Sequence, residues 1–220
     1  MRAFDILYED EELFVVDKPS GLLTVPSPQE PDKTLIRYVN EAFVHQTGQR
    51  LYPCHRLDRD TSGAVIFAKS KKSQQLMRLL FERKAVTKKY IAFIRGRLKA
   101  QTGQINLPIS DFHQRRFSRL KIRSKSALTQ YKVIQATVDF SVVEVRPITG
   151  RTNQIRIHFN AIGQPLLGER LYAFGKDFPV KFRRLALHAH ELQFRHLVSG
   201  QMVRIISPLA KDMEKFLKEH

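Results

Sequence analysis

The sequence predicts a globular fold that mixes strands with helices, and three features point to it. A chain of 220 residues with 42% apolar content is long enough to bury a sizeable core as one domain or two closely packed lobes. Short apolar runs, partly β-branched and bounded by Gly, Pro or acidic turns, recur along it in the manner of strands. Between them lie segments whose apolar residues return every three or four positions, as on the buried face of a helix.

Taken in order, Ile6-Leu7-Tyr8 and Leu13-Phe14-Val15-Val16 form a strand pair around the acidic turn Glu9 to Glu12, closed by Asp17-Lys18-Pro19-Ser20-Gly21. Residues 22–32 are a proline-containing loop, and Thr34 caps a helix over 35–43 with Leu35, Val39 and Phe43 inward. Thr61-Ser62-Gly63 reads as a loop before a buried strand at 64–68. Residues 70–84 form a helix with Leu76, Met77, Leu79 and Leu80 inside and Lys72, Gln75, Arg78 and Arg83 outside. Strands follow at 88–96, at 128–137 and at 140–145, the last two paired. Thr152 is placed to cap a helix lined by Ile155, Phe159 and Ile162 and ended by Gly163. His188 and His190 alternate on a strand and share a face, a spacing that suits a structural histidine pair better than a metal site without acidic or cysteine partners. Ser199-Gly200 turns a hairpin into 201–206, and Ser207-Pro208 caps a terminal helix with Leu209, Met213, Phe216 and Leu217 inward.

No stretch approaches the apolar length of a membrane span. The start, Met1-Arg2-Ala3-Phe4-Asp5, lacks a signal-peptide core, and the one cysteine, Cys54, excludes an internal disulfide framework and the usual cysteine-rich zinc sites. These features lead to an expectation of a soluble cytoplasmic protein. The formal net charge is +17 and it is unevenly spread: residues 1–54 hold 5 basic and 9 acidic groups, residues 69–125 hold 17 and 2. Such a block implies a polyanionic partner, because each neutralised phosphate releases a counterion. No basic amphipathic helix with a large apolar face favours a membrane as that polyanion. Within 111–126, Arg115, Arg116, Arg119, Lys121, Arg123 and Lys125 are interleaved with Phe112 and Phe117, a composition suited to phosphates and unstacked bases and equally to a surface loop that orders on binding.

The stretch His55-Arg56-Leu57-Asp58-Arg59-Asp60-Thr61-Ser62-Gly63 sets two carboxylates and two guanidiniums on irregular backbone beside a rigid strand, where catalytic groups are often held. A solvated loop with weak surface pairs accounts for its composition as well. An aspartyl-phosphate phosphatase would need a buried strand running into the first Asp, but Pro53 and basic groups precede Asp58 and the apolar run follows it. Arg151, near the start of a helix, can meet a carboxylate or phosphate there.

The same stretch resembles the catalytic motif of the RluA-type pseudouridine synthases, an HRLD tetrapeptide running into a TSG turn. Similar family segments are Lys18-Pro19-Ser20-Gly21, Lys88-Lys89-Tyr90-Ile91-Ala92, Gly103 to Ile109, Thr149 to His158, Gly163 to Tyr172 and Leu185 to His190. Asn153 stands where the family usually has histidine, and His196-Leu197 where it has His-Pro. The resemblance implies an α+β fold: a central mostly antiparallel mixed sheet in two halves, with flanking helices and an active-site cleft between the halves. It implies one catalytic domain over 1–220 without an S4 domain, acting as a monomer on ribosomal RNA, transfer RNA or both, and needing no cofactor, metal or membrane. Asp58 is then the catalytic carboxylate, Arg151 its charge partner and Tyr90 a proton acceptor. Arg56 fills the space of the flipped target base, and His55, Arg59, Thr61, Asn153, Gln154, Arg115, Arg116 and Arg119 hold the substrate. A non-catalytic RNA-binding protein, or an RNA glycosidase using Asp58 with water, remains compatible with the residues alone.

Overall fold

The computed structural model describes residues 4–110, 124–173 and 180–220. The chain divides into two compact units, one made of the residues up to Tyr90 with Leu187–His220, the other of Ile91–Ala186.

In the first unit, β1 (Asp5–Glu9) and β2 (Leu13–Lys18) form the expected antiparallel pair. Asp10 fixes its turn by accepting the N–H groups of Glu12 and Leu13 at 2.8 and 2.7 Å. β2 pairs antiparallel with β4 (Ser62–Ala68), whose edge also carries the short β3 (Tyr52–Pro53). Beyond β4 lies β11 (Leu187–Arg195), parallel to it at His188↔Ser62 and Ala189↔Gly63, followed by the antiparallel β12 (Met202–Ile206).

β4 is buried along its whole length because both of its faces are covered. Val65 and Phe67 pack with Phe14, Val16 and the α1 (Leu35–Thr47) residues Leu35, Val39 and Phe43. Ala64, Ile66 and Ala68 pack with Leu13, Val15, Phe194, Ile205 and Met77 of α2 (Lys71–Glu82). Two-sided burial explains why this strand reads as an unbroken apolar run without alternation.

Several boundaries differ from expectation. Ser62 and Gly63 already belong to β4, because their register with β11 extends the ladder to the turn. α1 continues to Thr47 and ends at Gly48 in left-handed backbone, φ +70°, while Thr34 makes no side-chain cap bond. In α2 the buried positions are Ser73 and Met77, and Leu76 and Leu79 are 38% and 43% exposed; the helix rests on β4 along a narrower line than its leucines suggest. Ser70 caps it, accepting the Ser73 N–H at 3.0 Å. The terminal helix α4 (Lys211–Glu219) starts after Ala210, not at Ser207-Pro208, because the Ser207 N–H is taken by the His190 carbonyl at 2.8 Å. Met213 and Phe216 are its buried residues.

The second unit holds β5 (Thr87–Arg95) from Ile91 onward, then β10 (Phe140–Pro147), β9 (Leu128–Ala136) and β6 (Thr102–Asn106) in spatial order. The β9–β10 and β6–β9 pairs are antiparallel. A separate short pair joins β7 (Ile109–Ser110) to β8 (Ser124–Lys125). α3 (Gln154–Ala161) buries Phe159, whose ring centroid lies 5.9 Å from that of Tyr131. Its cap is Asn153, not Thr152, and Ile162, at its other end, is 38% exposed. The α+β class and the mostly antiparallel, mixed strand pairing match the expectation, with four helices among the described residues.

Candidate active site

Asp58 sits at the head of a turn that feeds β4. The chain from His55 to Asp58 is irregular, and the Thr61 N–H donates to the Asp58 carbonyl at 3.2 Å. Leu57 is buried and is gripped through its backbone by Thr24, whose Oγ1 donates to the Leu57 carbonyl at 2.9 Å and accepts the Leu57 N–H at 3.1 Å. Arg56 and Arg59, on either side of this anchor, are exposed, and Asp58 is half-buried.

Beneath the turn lies Lys18, which is fully buried. Its Nζ donates to the carbonyls of Pro19, Leu22 and Arg59 at 2.9, 2.6 and 3.0 Å. Ser20 Oγ adds a bond to the Asp60 carbonyl at 2.7 Å, and Gly21 and Arg59 exchange bonds, N–H to carbonyl at 2.9 Å and Nε to carbonyl at 3.1 Å. The Arg59 guanidinium also lies 3.5 Å from Glu30. The Lys-Pro-Ser-Gly segment thus cradles the Asp58 turn, since a buried ammonium is tolerable only when its donors are met. In the sequence these residues end a strand and match a family segment, and neither reading puts the lysine beneath the Asp58 turn. The available signal was a lysine closing an otherwise apolar strand.

Tyr90 packs at the edge of the same core cluster as Leu57. Burial, and next the charge of Asp58, push the phenol well above the usual tyrosine range, so the two groups feel each other inside one unit. His55 turns inward: its Nε2 accepts the Ile66 N–H at 3.0 Å, and its ring centroid lies 4.7 Å from that of Phe81 of α2, tilted by 40°. Burial, with Lys88 nearby, drives its pKa down to about 3, so it is a neutral ring that stitches the loop to β4. Thr61 is also buried, and its Oγ1 has no hydrogen-bond partner among the described residues.

The second unit carries the other predicted residues. Gln154 is buried and its amide is fully engaged: Oε1 accepts from Thr149 Oγ1 at 2.6 Å and from the Arg151 N–H at 3.0 Å, and Nε2 donates to the Leu128 carbonyl and Thr129 Oγ1 at 3.0 and 2.9 Å. It therefore braces the Thr149-Gly150-Arg151 turn from inside. The exposed Arg151 donates through Nε to the Ser126 carbonyl at 3.2 Å. Asn153 adopts φ +55°, left-handed backbone that asparagine accepts more readily than most residues, and its Nδ2 donates to the Tyr172 hydroxyl at 3.0 Å. Sequence reading passed over Arg156 and Glu169, a buried two-point ion pair with both N–O distances 2.7 Å. Burial alone would raise the Glu169 carboxyl, but the guanidinium and the Leu171 and Tyr172 N–H groups hold it below its ordinary value. Arg115, Arg116 and Arg119 lie outside the described residues. Among the described residues no group of three His, Cys, Asp or Glu side chains is arranged to hold a metal ion.

A carboxylate on a braced turn, with a desolvated phenol in its field and exposed arginines around it, is suited to acid–base or covalent chemistry on a nucleic acid. The family model for RNA pseudouridylate synthases matches residues 12–161. The dual-specificity RNA pseudouridine synthase RluA of Haemophilus influenzae is 39% identical over 90% of this chain and 89% of its own length. The ribosomal large subunit pseudouridine synthase D of Xanthomonas campestris is 32% identical over 97% of this chain and 68% of its own. The solved structure of human RNA pseudouridylate synthase domain containing 4 superposes with a TM-score of 0.81 at 24% identity, covering 97% of this chain and 92% of that one. The chain belongs to the RNA pseudouridylate synthase family, as an RluA-type member. It is an isomerase that modifies RNA.

Proposed function

We propose that this synthase isomerises specific uridines of ribosomal RNA, transfer RNA or both, with Asp58 as its catalytic carboxylate, working as a cytoplasmic monomer without metal or redox cofactor. The relatives named for dual specificity and for the ribosomal large subunit support the substrate class. The observation that carries the role of Asp58 is its place as a half-buried carboxylate on a turn anchored through Leu57 and Thr24, with Tyr90, raised first by burial and next by the Asp58 charge, in the same unit.

In the reaction the bond from C1′ to N1 breaks, uracil turns, C5 bonds to C1′, and the hydrogen leaving C5 is balanced by one gained at N1, so mass is conserved. Asp58 acts at C1′, either by adding to the carbon or by stabilising the separated sugar. Because burial and Asp58 keep Tyr90 protonated, it takes the C5 proton on oxygen as its own hydrogen passes to Asp58, and Asp58 then releases that proton to N1, so both groups return to their starting states. Arg151 is assigned the role of keeping the carboxylate ionised in the substrate complex on the strength of its place in the Thr149-to-His158 motif. Arg56, exposed beside the anchored Leu57, occupies the space of the flipped base and offsets an unstacking cost of a few kcal/mol.

Two measurements test this. Pseudouridine mapping of total RNA with and without the gene identifies the modified position. Asp58→Asn should reduce tritium release from C5-labelled uridine RNA to background while RNA affinity changes less than about threefold, because affinity rests on phosphate contacts. Sustained tritium release would remove Asp58 from the chemistry.

A further inference from the structure

We propose that His188 is a positioning residue for catalysis: with Ser62 and Ser207 it forms a buried hydrogen-bonded chain that fixes the backbone carrying Asp58. This rests on the reading of Asp58 as the catalytic carboxylate.

Asp58 and Thr61 are the two ends of one tight turn, closed by the Thr61 N–H on the Asp58 carbonyl at 3.2 Å, and Ser62, the next residue, is the first of β4. At this end β4 is held by β11 through only two register positions, His188↔Ser62 and Ala189↔Gly63. The side chains reinforce that short grip. Ser62 Oγ lies 3.0 Å from His188 Nδ1, and His188 Nε2 lies 3.1 Å from Ser207 Oγ. Ser207 is itself immobilised: its N–H donates to the His190 carbonyl at 2.8 Å, and its carbonyl accepts His190 Nδ1–H at 2.7 Å. Ser62 is 3% exposed, and His188 and Ser207 are fully buried.

An imidazole bonded through both nitrogens cannot turn without breaking two bonds in a dry site, where unmet polar groups are costly. An apolar side chain of similar volume would fill the same space but would supply no direction. What His188 adds is a fixed heading for Ser62, and through one turn of backbone for Asp58. The approach is allowed because Gly63 lacks a Cβ, which would otherwise stand 2.3 Å from the Ala189 carbonyl oxygen. A displacement of about 1 Å at a reacting group can lower rates by about 100-fold, so a chain acting one turn away has leverage over turnover.

The test compares Ser62→Ala, His188→Asn, the double variant and the hydroxyl-retaining Ser62→Thr with the wild type. Single-turnover rates at saturating enzyme, RNA dissociation constants and melting temperatures are measured on one uridine-containing stem-loop. The expected result is a rate loss of roughly 10- to 100-fold in each single variant, with the dissociation constant within about twofold of wild type. The double variant should be no slower than the slower single, since both break one chain, and Ser62→Thr should recover part of the rate. Rates within about twofold of wild type in folded Ser62→Ala, losses confined to RNA affinity, or multiplicative losses in the double variant would overturn the proposal. Should His188→Asn fail to fold, Ser62→Ala against Ser62→Thr decides it. Asp58→Asn in the same assay separates the two readings. Turnover there defeats the Asp58 assignment itself, whereas an inactive Asp58→Asn beside a fully active Ser62→Ala defeats only the clamp.

Discussion

His55 and Arg56 are neighbours with opposite fates, and the anchored Leu57 separates them from Asp58. His55 faces β4 and α2 as a neutral ring, its pKa lowered from 6.5 to about 3, first by burial. The unfolded chain therefore binds a proton below 6.5 that the folded chain refuses until about 3, so this stability is present above 6.5 and is lost as pH falls through that window. Equilibrium urea unfolding between pH 7 and 4 should show stability falling with acid by up to about 1.4 kcal/mol per pH unit from this site. His55→Gln, which keeps an acceptor for the Ile66 N–H, should flatten that slope; an unchanged slope would assign the acid sensitivity elsewhere. Arg56, by contrast, projects outward. Arg56→Ala should slow modification of a stem-loop more than that of a short unstructured RNA, because only the former must release a stacked base. Arg151→Ala should slow both alike, and equal losses for both variants on both RNAs would erase the proposed division of labour.

At the scale of elements, β4 is the axis of the first unit. Its identity was legible because the five buried residues from Ala64 to Ala68 leave an unbroken apolar signature. Where it begins was not, since Ser62 and Gly63 look like loop residues and become strand when β11 pairs with both and β2 with Gly63. Gly63 adopts φ +114°, and a Cβ there would meet backbone, which cannot yield as a flexible side chain can. Gly63→Ala should cost at least ~2 kcal/mol and lower Tm by roughly 4–8 °C in a chain of this size, readable by calorimetry. A melting temperature unchanged from wild type would mean that β11 can shift away at no cost. α2 and α3 show the reverse problem. Their periodicity announced helices, but which leucines of α2 are covered, and that Asn153 instead of Thr152 caps α3, depend on partners far away in sequence. Gln154, predicted to touch substrate, spends its amide on the turn that presents Arg151.

Across the whole molecule, charge governs how RNA is held. A net +17, concentrated in residues 69–125, should make RNA affinity fall steeply with salt. Replacing Arg115, Arg116 and Arg119 with Ala should flatten that dependence by up to ~0.7 log unit per lost contact per decade of salt, as read by filter binding on a single-stranded RNA. A slope equal to that of the wild type would place the phosphates on other cations. Turnover at saturating RNA should change little, because the proposed chemistry rests on Asp58 and Tyr90 and not on these three arginines.

Composition, periodicity and a few short motifs by themselves determined the α+β class, the polyanionic partner, the family and the candidate carboxylate, since each is written in residues close together in the chain. Lys18 under the Asp58 turn, the Ser62–His188–Ser207 chain behind it, the inward turn of His55 and the bracing of Arg151 by Gln154 were decided only by the tertiary structure. Each joins a side chain to a partner or backbone group that only folding brings within reach. A lone lysine, serine or histidine carries no sign of whether it will face solvent, substrate or another residue until burial removes the water that would otherwise satisfy it.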